Sequence, residues 1–215
     1  MNNKNKSAII VGATGATGKA LTNLLINDNR YSQITLLIRK KPEIQHPKLN
    51  QLIFDFNKLS PAEFYADELY CCLGTTMKKA GSKDAFKKVD FEYVINIAKL
   101  AYQNEIKKLA VVSAIGANKK SAFFYNKVKG EMEEELSKIP FQHIVISRPS
   151  LIVGERDESR RGENFAKIFM TAFDFFIPKK YKAVKAEKIA SIITNAMNNP
   201  PQNKLVNIIY PHLAE

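Results

Sequence analysis

Ser7-Ala8-Ile9-Ile10-Val11-Gly12-Ala13-Thr14-Gly15-Ala16-Thr17-Gly18 runs straight into Lys19-Ala20-Leu21-Thr22-Asn23-Leu24-Leu25. A short apolar run, three glycines at a spacing of three and a helix-forming segment follow one another, which is the order of a strand, a tight turn and a helix folded back on the strand. Without a side chain the backbone can turn sharply at Gly12, approach a ligand at Gly15 and let the helix pack closely at Gly18. The first-turn N–H groups and dipole of such a helix face a pyrophosphate. A purely structural turn also uses glycines, but the flanking strand and helix favour a dinucleotide site built from Gly12, Thr14, Gly15, Ala16, Thr17 and Gly18.

Outward from this unit, Gln33-Ile34-Thr35-Leu36-Leu37-Ile38 is the continuous apolar, β-branched run of a strand buried on both faces. Residues 49–54 and 69–73 predict two further strands, with a small helix starting near Pro61 between them. Residues 85–103 predict a long helix, 108–113 a fifth strand, 123–137 a helix, 143–147 a sixth strand, 187–197 a helix and 205–209 a final strand. Strands alternating with helices require crossover connections, and so a doubly wound α/β Rossmann fold with a parallel sheet, in one domain over residues 1–215.

Composition narrows the function classes. With 45% hydrophobic and 25% charged residues, the 215-residue chain has the make-up of a globular protein with one sizeable core. No apolar run is long enough for a membrane span, and the polar stretch Met1 to Lys6 carries no secretory signal. The cysteines, Cys71 and Cys72, are adjacent and poorly placed for a distant disulfide, which predicts buried thiols and a reducing, cytoplasmic location. The net charge of +12 raises the question of nucleic acid. Lysine pairs such as Lys40-Lys41, Lys107-Lys108 and Lys179-Lys180 are spread along the chain without interleaved aromatics, so no specific nucleic-acid site is expected. A solvated basic surface instead steers an anionic cofactor or an acidic partner. His46, His143 and His212 lack metal-ligand spacing, and no metal site is expected.

Arg39 and Lys40 end the second strand about twenty residues beyond the glycine loop, where an acid would hold the ribose of NAD. A carboxylate there repels the 2′-phosphate of NADP, whereas a guanidinium binds it with charge-assisted bonds and stacks on the adenine. NADP(H) is therefore the expected cofactor and NAD(H) the alternative, with Thr14 adding a hydroxyl near the same phosphate. Asp55 and Phe56, ending the third strand, are placed for an adenine contact, although an aspartate there is also a turn former. Leu73, Gly74, Thr75 and Thr76 close the fourth strand, where they either line the cofactor or form an ordinary loop.

Tyr125-Asn126-Lys127-Val128-Lys129 puts a phenol and an ammonium four residues apart, on one face of a helix, and Ser113 ends the strand before it. Carbonyl reduction needs a proton donor at the oxygen as hydride arrives, and tyrosine serves where a nearby cation lowers its high intrinsic pKa. In this reading Lys129 supplies the field and binds the nicotinamide ribose, Tyr125 gives the proton and Ser113 holds the carbonyl. A YxxxK spacing alone arises by chance; an upstream strand-end serine and an N-terminal glycine loop make it specific. Glu131, Glu133, Glu134 and Glu135 on the same helix predict a solvated face with local ion pairs.

Together these motifs resemble the short-chain dehydrogenase/reductase superfamily in an atypical form. Cys72-Leu73-Gly74-Thr75-Thr76, Lys79-Ala80-Gly81, Val89-Asp90 and Tyr125-Asn126-Lys127-Val128-Lys129-Gly130-Glu131 narrow the resemblance to the Tat-interacting protein type of NAD(P)H-binding oxidoreductase, from the first strand to about Arg161. The resemblance implies a Rossmann core with NADPH in its crevice, Ser113, Tyr125 and Lys129 as the active site, and Arg148, Pro149 and Ser150 near the nicotinamide end. Members of this type are described as regulators as well as reductases. Many superfamily members also have an asparagine in the long helix that organises a proton-relay water, and Asp90 and Asn96 are the candidates for its place here.

The last quarter differs in character. Phe165, Ile168, Phe169, Ala172, Phe173, Phe176 and Ile177 recur at helical spacing, which predicts a lid helix in a small substrate region over residues 155–200. Two functions follow: an NADPH-dependent reductase of a small carbonyl substrate, or an NADPH-binding regulatory or scaffold protein whose lid contacts a protein partner. Either would act as a monomer or homodimer.

Overall fold

In a computed structural model that describes residues 5–40, 42–58, 64–154, 182–201 and 205–214, the first apolar run forms β1 (Lys6–Val11) and the segment after the glycines forms α1 (Ala16–Ile26). There follow β2 (Tyr31–Ile38), β3 (Leu49–Ile53), β4 (Glu68–Cys71), the short helices α2 (Met77–Ala80) and α3 (Lys83–Lys87), then α4 (Tyr93–Gln103) and β5 (Lys108–Val112). The described chain continues with α5 (Phe124–Ser137), β6 (His143–Ser147), β7 (Ile152–Val153), β8 (Val184–Lys185), α6 (Ala186–Asn198) and β9 (Val206–Ile209).

Seven of the strands form one parallel sheet in the order β3-β2-β1-β4-β5-β6-β9, while β7 and β8 pair separately. Successive side chains of a strand point to opposite faces, so both faces of this sheet need cover. Ile9 and Val11 of β1 pack on one side with Val94, Ile97 and Ala101 of α4 and Met132 and Leu136 of α5. Ala8 and Ile10 pack on the other side with Leu21 and Leu25 of α1 and Ile189, Ile193 and Met197 of α6. The apolar runs are therefore continuous because their strands are buried twice over.

The single long helix predicted for residues 85–103 is interrupted. Between α3 and α4 lies a π turn, Lys88–Glu92, closed by the Tyr93 N–H on the carbonyl of Lys88, five residues back. One wide turn leaves the apolar periodicity on either side nearly intact, which hides it from pattern reading. The helix predicted to start near Pro61 and the aromatic stripe from Phe165 to Ile177 lie outside the described residues.

Register aligns the strand ends. Val11 pairs with Leu37 and Cys71, Cys71 with Val111, Val112 with Ser147, and Ser147 with Ile209. Gly12, Arg39, Ser113 and Arg148 consequently leave the sheet along its carboxyl edge. Strand order reverses between β1 and β4, the switch point at which open α/β sheets present a crevice.

The opposite edge is tied by Glu68, 1% exposed. Its carboxylate accepts hydrogen bonds from Tyr31 Oη at 2.6 Å, Tyr70 Oη at 2.9 Å and Lys6 Nζ at 3.0 Å. β1, β2 and β4 are thereby joined at their starts. Burial, and then the charge of Glu68, pushes both phenols above the usual tyrosine value of 10.0. A raised native pKa contributes stability in full below the unfolded value and loses it as pH climbs from that value toward the raised one. Urea midpoints of the wild type should hold at a pH of about 8 and fall by a pH of about 11, and Tyr70→Phe should shallow that fall.

Candidate functional site

Each glycine of the first loop answers to a different neighbour. Gly12 has φ +80°, and a Cβ there would also lie 2.6 Å from the carbonyl oxygen of Cys72. A Cβ on Gly18 would lie 2.2 Å from the carbonyl oxygen of Gly12, so α1 can cross β1 this closely only with glycine. Gly15 is different: its backbone is extended, and a Cβ would meet only the Gly12 oxygen, at 3.4 Å. Its chain neighbours apart, no other described residue comes within 4 Å of that position. No side chain caps α1 and no acid stands in its first turn, so the helix start directs N–H groups and a positive dipole into that space, as an anion cradle requires. Of the other loop residues, Thr14 is exposed, whereas Ala16 and Thr17 are buried.

Around the cradle the predicted cofactor residues divide. Arg39 and Lys40 are exposed at the end of β2. Asp55 accepts from the backbone N–H of Asn57 at 2.9 Å and from its Nδ2 at 3.1 Å, and these bonds hold its carboxyl below the ordinary range. It is a turn former, the alternative left open above. Phe56 buries its ring against Phe54 and Tyr93, at centroid distances of 5.1 and 5.4 Å, so the ring belongs to the core. Leu73 and Thr75 are half-buried and Gly74 exposed at the end of β4, while Thr76 caps α2 by accepting from the N–H of Lys79 at 3.2 Å.

The catalytic candidates come together through α5. A Cβ on Gly130 would lie 2.2 Å from the backbone N of Lys119, so glycine lets this helix press on the loop after β5. One face, at intervals of four residues, then carries Tyr125, Lys129 and Glu133 toward the end of β5. Lys129 is buried, with Nζ 2.8 Å from Asp90 Oδ1 and donating to the Val112 carbonyl at 3.5 Å. Asp90 Oδ2 accepts the Thr75 N–H at 2.8 Å. Burial works against the ammonium, but chiefly the Asp90 charge more than offsets it, and the Lys129 pKa is raised. Tyr125, 38% exposed, packs its ring 5.5 Å from Phe86. Burial raises the Tyr125 pKa, the Lys129 cation opposes this and Asp90 adds to it. The net direction is upward, opposite to the expectation that Lys129 alone would set.

Ser113 is 4% exposed just beyond β5 and donates its hydroxyl proton to Glu133 Oε1. Arg148 clasps the same carboxylate, with Nε 3.0 and 3.1 Å from its two oxygens, and donates from Nη1 to Tyr210 Oη at 3.0 Å. The acidic run on α5 is thus not one solvated face. Glu134 and Glu135 pair with Lys119 and Lys138 at the surface, whereas Glu133 is 6% exposed. Its signal was the continuation of the four-residue spacing from Tyr125 through Lys129. Pro149 accepts the Ile115 N–H at 2.8 Å, and Ser150 donates to the Lys182 carbonyl. Of the two candidates for the relay position, Asn96 is exposed on α4 and Asp90 is the one that reaches Lys129.

A parallel sheet with a glycine cradle at its switch point, and serine, tyrosine and lysine carried to the same edge, defines an atypical short-chain dehydrogenase/reductase fold. Residues 12–200 match the NAD(P)H-binding family, and the chain belongs to that family. It is 36% identical over 202 residues to "Protein HTATIP2" of Rattus norvegicus, covering 91% of this chain and 81% of that protein. It is also 36% identical over 160 residues to "Protein FMP52, mitochondrial" of Candida albicans, covering 71% of this chain and 70% of that one. Among solved structures, "MoeE5 in complex with UDP-glucose and NAD" superposes with a TM-score of 0.73 at 10% identity, over 95% of this chain and 75% of that chain, a likeness of fold.

The cradle fits a nicotinamide dinucleotide: the start of α1 would hold its pyrophosphate over Gly15, and Lys129 its nicotinamide ribose. Because the Gly15 backbone, φ −78° and ψ 164°, suits a β-branched residue, Gly15→Val should fold as the wild type does while filling the cradle. Calorimetric titration with NADPH should show an affinity lower by at least about tenfold, with the melting temperature lower by no more than about 2–4 °C, the cost of valine at a helix N-cap.

Proposed function

We propose that the protein is an NADPH-dependent reductase of a small carbonyl compound. The observation that carries this reading is the convergence of Ser113, Tyr125 and Lys129 on the sheet edge that also holds the open glycine cradle. Bound NADPH supplies the hydride. Tyr125 is partly exposed, and so reachable by a substrate, and its Oη is the proton donor to the carbonyl oxygen. Lys129, fixed between Asp90 and the Val112 carbonyl, orients the ribose. The Ser113 proton is given to Glu133, so the expected bond from Ser113 to the carbonyl is not available, and the carbonyl oxygen takes its hydrogen bond from Tyr125. Tyr125→Phe should lower carbonyl-dependent NADPH oxidation by about a hundredfold or more across a panel of aldehydes and ketones. Equal rates in the two proteins would remove Tyr125 from the mechanism.

The preference for NADP(H) over NAD(H) rests on Arg39, an exposed cation at the end of β2 with no carboxylate beside it in sequence. A charge-assisted bond to the 2′-phosphate is worth roughly 1.5–3 kcal/mol. Arg39→Ala should therefore raise the Kd for NADPH by about tenfold to a hundredfold and leave the Kd for NADH nearly unchanged.

The commitment of Ser113 to Glu133 also supports a second reading, an NADPH-binding regulatory protein with little turnover, because one donor alone then faces a developing oxyanion. Tight NADPH binding without oxidation by any carbonyl of the panel would favour it over the reductase.

A further inference from the structure

We propose that Asp90 is a positioning residue of this site: by closing an ion pair with Lys129 it offsets the lysine's charge at Tyr125 and so adds to the burial that keeps Tyr125 a phenol, and the site gives a proton rather than takes one. The π turn Lys88–Glu92 carries Asp90 inward, where it is fully buried. One carboxylate oxygen lies 2.8 Å from Lys129 Nζ and the other accepts the Thr75 N–H at 2.8 Å. The same carboxyl thus holds both the lysine and the loop that follows β4. A buried acid spanning two candidate cofactor-binding elements has more to do than pack, and π turns recur at functional positions.

The groups facing this pair come from every element around it. α5 contributes Lys129 and Tyr125, β5 the Val112 carbonyl, β4 the Cys71 thiol, the loop after β4 the Thr75 amide, and α3 the Phe86 ring. Burial pushes the Cys71 thiol up to about 11, so it is neutral. Among the described residues the formal charges beside Tyr125 are then one ammonium and one carboxylate, which sum to zero.

That balance bears on reaction direction. In reduction the carbonyl carbon gains the hydride, its oxygen gains the proton of Tyr125 Oη, the cofactor leaves as NADP+, and Tyr125 regains a proton from water. Oxidation of the alcohol needs the phenolate, which an unanswered Lys129 would favour and Asp90 does not. The consequence for direction rests on the reductase reading, whereas the effect of Asp90 on Tyr125 can be measured without a substrate.

The test is an alkaline titration of phenolate absorbance, the trace of each protein's Tyr125→Phe counterpart being subtracted from its own so that Tyr125 alone is read. Asp90→Asn should lower the Tyr125 midpoint by about one to two pH units. Lys129→Met should raise it, and Asp90→Asn/Lys129→Met, which buries neither charge, should return it close to the wild-type value. An unchanged midpoint in Asp90→Asn overturns the proposal. If that variant does not fold, a double variant that titrates with Lys129→Met instead of with the wild type overturns it equally. In the activity arm, the alkaline limb of carbonyl-dependent NADPH oxidation should move down in Asp90→Asn by the same amount as the titration. A wild type that oxidises no NADPH with any carbonyl, while the titrations come out as described, removes the reductase reading and upholds the role of Asp90.

Discussion

A Cβ on Gly18 would come within 2.2 Å of the Gly12 carbonyl oxygen, and the functional edge of the protein depends on that atom being absent. Only with the helix so close to the strand does the start of α1 lie at the switch point, with no side-chain cap among the described residues. The seven parallel strands supply the rest of the edge, since their shared direction and register bring Arg39, Ser113 and Arg148 out on the same side. A side chain at Gly18 would lift α1 away and take the anion cradle with it.

Buried acids are the second recurring device, and they serve different ends of the sheet. At the amino edge Glu68 collects two phenols and a lysine and ties strand starts together. At the carboxyl edge Asp90 and Glu133 each take hold of one residue of the candidate site, Lys129 and Ser113. A carboxylate in a low-dielectric setting must be paired, so each acid fixes its partner's position as well as its charge. Among the described residues of the candidate site, Tyr125 is the one that no buried acid holds; it is partly exposed, and its burial favours the phenol.

Much of this was legible in the chain. Continuous apolar runs indicated strands buried on both faces, and β6 falls on the predicted residues 143–147. The glycine spacing indicated the loop, and the interval from Tyr125 to Lys129 indicated one helical face. What stayed hidden depends on partners distant in sequence. The π turn interrupts a helix without disturbing its pattern, so the inward turn of Asp90 left no local trace. Glu133 sits in an acidic run whose neighbours are at the surface, and it is the approach of Ser113 and Arg148, from the ends of two other strands, that sets it apart. Phe56 read as a crevice residue because its burial is decided by Tyr93, from the far side of an unrelated turn.

In the proposed function one edge of the sheet holds a nicotinamide dinucleotide across the glycine cradle with its reactive ring at Tyr125. A crystal structure of the complex with NADP+ tests this most directly. The pyrophosphate should lie on the first-turn N–H groups of α1 over Gly15, with nicotinamide C4 facing a space that Tyr125 Oη can reach. A pyrophosphate bound away from α1, or a nicotinamide ring turned away from Tyr125, would contradict it.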